Sequence, residues 1–495
     1  MCLAITCHYI DDNFNLHQPL LSFQHLEERH SGPYLARIIL DVLNEYDLCD
    51  KLFCITTDNA SNNDTMVRTL ETLLKRDGVS WDSTANHIRC LTHVINLVIT
   101  SYLDNLKING LSITTTLDKL HTIAKAVHSS SSRWEEFKSC CLSYNIKPIT
   151  IPLDVGTRWN STYRMLSQSV YLRRAIHRFI DDHEKLADCK LNDDEWDLAE
   201  VLLVFLMPFQ RCTLRFECNN VTPEIDYVFF AYDNMYNHID DVKAALSRSE
   251  GIGLLSCASE MLTSLEEMEN TLKIYYSRTE LSQVYGDAMI LNPRCKLVIF
   301  EEESWEDEDP EKYISACRHC FFEGYANSEN PSYVSAAEQS QTPFSENVDS
   351  EFLELLNKRS AKRRSDFNHY IDIPNDANIA SSLVWWKNNK DLYPQLANMA
   401  RDVLAVPASG CTVGEFSISG RIATWQRNRL SPSTISDSMI YKSGLKRKHL
   451  ALQMNGDEDD LVVPEMCGSI PKEWQDKWWL EKLQRPIHGS ILNLF

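Results

Sequence analysis

Short apolar runs separated by turn residues open this chain, and helical spacing takes over further along. Residues 1 to 10 read as a strand and Asp11-Asp12-Asn13-Phe14-Asn15 as a turn. Leu16 to Phe23 reads as a second strand broken by Pro19, which has no N–H to give a ladder. Ser31-Gly32-Pro33 starts a helix with proline in its first turn. Leu35, Ile38, Ile39, Val42, Leu43 and Tyr46 form its apolar stripe. The run Phe53-Cys54-Ile55-Thr56-Thr57 stops abruptly at Asp58, and Asn59-Ala60-Ser61-Asn62-Asn63 follows. Met66, Leu70, Leu73 and Leu74 then recur at helical spacing, from about residue 62 to 75. The pattern predicts a buried strand, a tight turn and a helix. Asn86 to Cys90 reads as a short strand and Leu91 to Leu103 as a helix.

From about residue 105 to 390 the spacing is mostly helical. Residues 115 to 127, 160 to 180, 195 to 215, 225 to 247 and 255 to 280 carry it with few strand signals. The acidic run Glu301 to Asp309 reads as a solvated loop, and residues 324 to 347, rich in Ser, Asn and Glu, as a linker. Trp385-Trp386-Lys387 leads through Tyr393-Pro394 into a helix over Leu396 to Val403. Val406-Pro407-Ala408-Ser409-Gly410 follows, and Ile435 to Tyr441 reads as one more helix. Trp474, Trp478 and Trp479 lie on one helical face near the end.

The expected divisions are 1–104 for the strand-bearing part, 105–377 for a mainly helical insertion with a polar linker near 301–350, 378–448 for a return to the core, and 449–495 for an acidic, Trp-rich tail.

Composition narrows the classes. Acids outnumber bases 70 to 49 for a formal charge of −21, so any contact with nucleic acid must come from local basic patches. Lys358-Arg359 with Lys362-Arg363-Arg364 is one such cluster; a phosphate contact and a solvated face weigh equally. The 16 scattered cysteines read as reduced thiols rather than a disulfide framework. No apolar run approaches the ~20 residues of a membrane span, so no membrane partner is expected. The chain opens as a strand already under way, which leads us to expect that its natural start is missing.

Asp58 sits where α/β sheets place their chemistry, at the carboxyl end of a strand. It could hold a hard divalent cation or simply cap a turn. Asp11 and Asp12 are explained by turn chemistry. Cys90 and His93 make half of a zinc site with no convincing second pair, Cys317-Arg318-His319-Cys320 being a poor partner. The plain alternative is a buried thiol and a hydrogen-bonded imidazole.

Five strings occur in order: Thr57-Asp58-Asn59-Ala60-Ser61-Asn62, Arg89-Cys90-Leu91-Thr92-His93, Thr157-Arg158-Trp159-Asn160-Ser161-Thr162, Trp385-Trp386-Lys387, and Val406 to Leu430. Together they resemble the hAT superfamily of DNA transposases, over nearly the whole chain. The resemblance implies an α/β, ribonuclease-H-like core interrupted by a large α-helical insertion. It implies an acidic triad holding two Mg2+ or Mn2+ ions for phosphodiester displacement, and DNA cleavage and strand transfer as the ancestral activity.

Asp58 matches the second acid. Glu415 matches the third, although Val413-Gly414-Glu415-Phe416-Ser417 is one residue shorter than the usual string and lacks its Arg. One deleted helical residue turns what precedes it by about 100°. Nothing in residues 1 to 10 matches the first acid. The resemblance also implies His93 near the scissile phosphate, DNA contacts at Arg158, Trp159, Arg427 and Arg429, homodimerisation through the carboxyl-terminal region, and a nuclear location. Trp159 could stack on an extruded base or belong to the core. Activity is expected to be impaired; the rival reading is a non-enzymatic protein that dimerises and interacts with DNA. The geometric expectation is that Asp58 and Glu415 converge on one sheet edge.

Overall fold

A computed structural model describes residues 2–26, 30–108, 112–154, 159–217, 224–250, 258–298, 310–325, 366–376, 378–379 and 381–410. The chain forms two compact units, one holding residues 1–89, 219–230 and 279–411, the other 90–218, 231–278 and 412–495.

In the first unit the strands pair two by two. β1 (Cys2–Thr6) runs antiparallel to β4 (Leu20–His25), and β2 (Tyr9–Ile10) antiparallel to β3 (Leu16–His17). Each expected long strand is thus two short ones. The cause is Pro19: its carbonyl accepts from Cys7 N–H at 2.8 Å, and the register skips a residue between Ile5, opposite Ser22, and Thr6, opposite Leu20. Asp11 ties the intervening turn. Partial burial would raise its carboxyl, but hydrogen bonds from His17, Asn15 and Asn13 hold it well below the usual range.

α1 (Gly32–Glu45) lays Leu35, Ile38, Ile39, Val42 and Leu43 on the core, as its stripe predicts. Tyr46 does not join them. It follows the helix end, is 44% exposed, and donates its hydroxyl to the Leu21 carbonyl at 3.1 Å. β5 (Ile55–Thr57) leads into α2 (Ser61–Arg76), whose Met66, Val67, Leu70 and Leu74 close the cluster against α1. The two helices come close at Gly32, where a Cβ would stand 2.7 Å from Asn62 O and from Met66 N. Two residues past the end of α2, Gly78 has a φ of 82°; Gly78 N–H reaches Lys75 O and Val79 N–H reaches Leu74 O. β6 (His87–Arg89) then pairs parallel with β5.

The second unit is helical: α3 (Leu91–Ile108), α4 (Ser112–His128), α5 (Ser131–Ser143), α6 (Trp159–Tyr171), α7 (Arg173–Asp181), α8 (Asp193–Glu217), α9 (Val228–Glu250) and α10 (Ala258–Thr279). α8 packs against α3, α4 and α6, with Trp196, Leu206 and Phe209 fully buried. The expected helix over 160 to 180 is broken at Leu172, where ψ is 7°.

After residue 279 the chain belongs to the first unit again, through α11 (Val284–Ile290), α12 (Pro310–Gly324), α13 (Asp366–Asp372), α14 (Ser382–Asn389) and α15 (Pro394–Leu404). Specific bonds stitch the return to the first strands. Ser282 Oγ donates to Ala85 O at 2.5 Å, and the Tyr285 hydroxyl accepts Arg89 N–H at 3.1 Å. Thr56 Oγ1 donates to Pro407 O at 2.7 Å, and Arg401 Nε to Ile10 O at 3.2 Å. Trp386 is fully buried beside Tyr370, with its indole N–H on Leu291 O at 2.9 Å. Lys296 is buried too; its ammonium donates to the carbonyls of Tyr370 and Ile373 at 2.7 Å each, at the end of α13.

Among the described residues no helix is long and apolar enough to cross a membrane. Cys54, Cys295 and Cys317 are free thiols.

Candidate active site

Parallel pairing sets Thr56 opposite Ile88 and Thr57 opposite Arg89, so both strands end at one edge. Asp58 is the first residue beyond it and is exposed. Its Oδ1 accepts from Ala60 N–H at 3.0 Å and from Asn63 Nδ2 at 2.7 Å, which fixes the carboxylate over the start of α2. These bonds use one oxygen and leave Oδ2 outside them. The turn reading and the ligand reading of Asp58 are therefore compatible: the turn orients the group a ligand role would need.

The supporting residues are polar and partly unsatisfied. Thr57 Oγ1 bonds the buried His87 ring at 2.8 Å and also donates to Asp58 O at 2.9 Å. Arg89 reaches Asp64 at 2.6 Å, a close ion pair poorly directed for a hydrogen bond. Both amide atoms of Asn59 and the Arg89 Nη1 are buried without a hydrogen-bond partner. Unsatisfied groups of this kind are costly and collect at functional sites. Only the string Asp58-Asn59 signalled Asn59; the part played by Arg89 needed the β5–β6 register.

The remaining candidates fare differently. His93 lies in the first turn of α3, in the second unit, half-buried. Cys90 is 5% exposed and its sulfur contacts Thr92 Oγ1 at 3.2 Å, which is the buried-thiol reading. Trp159 is 3% exposed and packs edge-on against Tyr163 at 6.2 Å, while its backbone N–H reaches Asn96 Oδ1 at 3.3 Å. Its ring is thus buried in this structure, as the core alternative has it. Arg158, Glu415, Arg427 and Arg429 lie outside the described residues, as do the acidic run, the basic cluster at 358–364 and the terminal tryptophans. The expected convergence of Asp58 with Glu415 falls outside them too. Among the described residues no three His, Cys, Asp or Glu side chains gather to hold a metal ion.

Comparison with known proteins adds the decisive observation. Residues 366–445 match the hAT family C-terminal dimerisation region. Residues 1–84 match the ZBED1 RNase-like domain, and residues 88–205 the ZBED1 RNase-like helical domain. The chain belongs to the hAT family. It is similar to the "Putative AC transposase" of Zea mays, at 27% identity over 88% of this chain and 54% of that protein. It is similar to the "Putative transcriptional regulator tpeD" of Talaromyces stipitatus, at 26% over 91% of this chain and 53% of that protein. A third relative is the "Zinc finger BED domain-containing protein RICESLEEPER 2" of Oryza sativa subsp. japonica, at 23% over 90% of this chain and 63% of that protein. The chain thus spans about half the length of the first two. Its hAT architecture is an RNase-like domain followed by a large helical domain, as the resemblance implied.

Proposed function

We propose that this hAT protein binds DNA, self-associates through its carboxyl-terminal region, and retains at Asp58 one ligand of an ancestral metal-dependent phosphodiester-cleaving site. The observation that carries the reading is the placement of Asp58: a carboxylate locked by its own turn at the end of a parallel strand pair, with unsatisfied polar groups of Asn59 and Arg89 in the same two strand ends. One carboxylate oxygen free of the turn suits a hard divalent ion such as Mg2+ or Mn2+. Such an ion would supply charge stabilisation for an in-line displacement at phosphorus. Glu415 is the second carboxylate the reading calls for. The string around it is one residue shorter than the family pattern and lacks its Arg, and on that ground we propose weakened cleavage. Acting on DNA, the protein would work in the nucleus.

A second reading, regulation without cleavage, is favoured by the relative named a transcriptional regulator, which matches across 91% of this chain. One experiment separates the two. The full chain is titrated with Mn2+ on a duplex carrying candidate element ends and on a hairpin, beside Asp58→Asn. Metal-dependent nicking, lowered at least 100-fold by Asp58→Asn at unchanged melting temperature, supports the nuclease reading. DNA binding and self-association with no nicking at any ion concentration supports the regulatory one.

A further inference from the structure

A second feature of the RNase-like domain lies on α1 and α2 rather than at the strand ends. A groove of about 570 Å³ is lined by Arg37 from α1 and by Thr65, Arg68, Thr69, Thr72, Leu73 and Arg76 from α2. The α2 positions recur three and four residues apart, so they form one face of the helix. The groove holds three guanidinium groups and no carboxylate.

That sorting of charge is unexpected in a chain of net charge −21. The acids of α2 are turned to other partners: Asp64 pairs with Arg89 at 2.6 Å, and Glu71 accepts from Ser83 Oγ at 2.6 Å. Arg37, Arg68 and Arg76 are exposed and, among the described residues, none forms an ion pair; Arg68 uses only Nε, on Asp64 O at 3.0 Å. Thr69 and Thr72 donate their hydroxyl protons back to α2 carbonyls at 2.8 and 3.0 Å. The charged donors of the groove are guanidinium groups, whose planar fork matches phosphate oxygens.

We propose that this groove tracks the phosphate backbone of duplex DNA, an inference that rests on the reading of DNA as the partner. Arg68 and Arg76 are eight residues apart, about 12 Å along the helix. A row of guanidinium groups at that spacing suits an extended array of anions, and duplex DNA presents a charge every ~1.7 Å of its axis. The lining has no aromatic side chain on which unpaired bases could stack, which favours the duplex over a single strand. The contact carries affinity and orientation and reads no sequence.

The test measures binding of the full chain to a labelled duplex across a salt series, with EDTA present so that cleavage plays no part. The variants are Arg37→Gln/Arg68→Gln/Arg76→Gln and the corresponding triple Lys variant. Each lost phosphate contact lowers the slope of log K against log salt by ~0.9. The Gln triple is expected to lose about 2 to 3 from the slope and the Lys triple to keep most of it. All three arginines are exposed, so circular dichroism melting should superimpose. A Gln triple with wild-type affinity and slope overturns the groove while leaving DNA as the partner. No duplex binding by the wild-type chain at any salt overturns both. Displacement of the duplex by polyglutamate at equal charge concentration would assign the groove to an acidic protein segment and overturn the DNA assignment.

Discussion

Asp58 and Asp287 show how opposite settings act on the same side chain. Asp58 is exposed and held by its turn. Asp287 is 1% exposed, takes a hydrogen bond from Gln283 Nε2 at 2.9 Å, and faces Cys317 and Cys320. Burial lifts its carboxyl to about 6, with those hydrogen bonds opposing the lift. The folded chain therefore keeps a proton that the unfolded chain has released. The stabilising contribution is complete below the ordinary carboxyl value and is lost as pH rises through about 6. Asp287→Asn removes that loss and preserves a donor and an acceptor. It should be more stable than wild type at pH 7, by roughly 2 to 3 kcal/mol, and approach it near pH 4, as followed by urea melts across that range. Nothing in the string around Asp287 announces a buried acid. Asp58 was legible because the apolar run of a strand ends directly on it and turn-forming residues follow.

At the scale of elements, amphipathic helices with full stripes were readable and those without were not. α1 and α2 followed from their apolar spacing. α5 presents only Phe137, Cys140 and Cys141 to the core, too thin a stripe to register, although Ser130 caps it by accepting Arg133 N–H at 3.2 Å. α11 is buried at every position from Val284 to Ile290, so it has no polar face to set a period. Gly32 was readable as a helix start; its close approach to α2 was not. Gly32→Ala should place a methyl against backbone atoms that cannot yield, costing about 1 to 3 kcal/mol and lowering the urea midpoint without changing the m-value.

At the scale of the whole molecule, the first unit is assembled from three separated stretches. Its early strands depend on residues about 350 to 390 positions away, through Thr56 on Pro407 O and Arg401 on Ile10 O and on the Asp12 carboxylate at 2.6 Å. A chain ended after residue 278 should lose hydrogen-exchange protection across β1 to β6 while α3 to α10 retain theirs; equal protection in both would contradict this dependence. The match of residues 366–445 to the dimerisation region gives a second expectation: sedimentation of the full chain should show reversible, metal-independent self-association.

The sequence alone determined the order of the early elements, the position of Asp58 at a strand end, and membership in the hAT family. These are local properties, set by apolar period, turn chemistry and short strings. Only the tertiary structure decided that the break at Pro19 carries over into the strand paired with it, that Trp159 is buried, that Asn59 and Arg89 are left unsatisfied beside Asp58, and that three arginines line one groove free of carboxylates. Each of these depends on which distant residues come to lie against a side chain, and burial and charge sorting follow from that neighbourhood rather than from the spacing of residues along the chain.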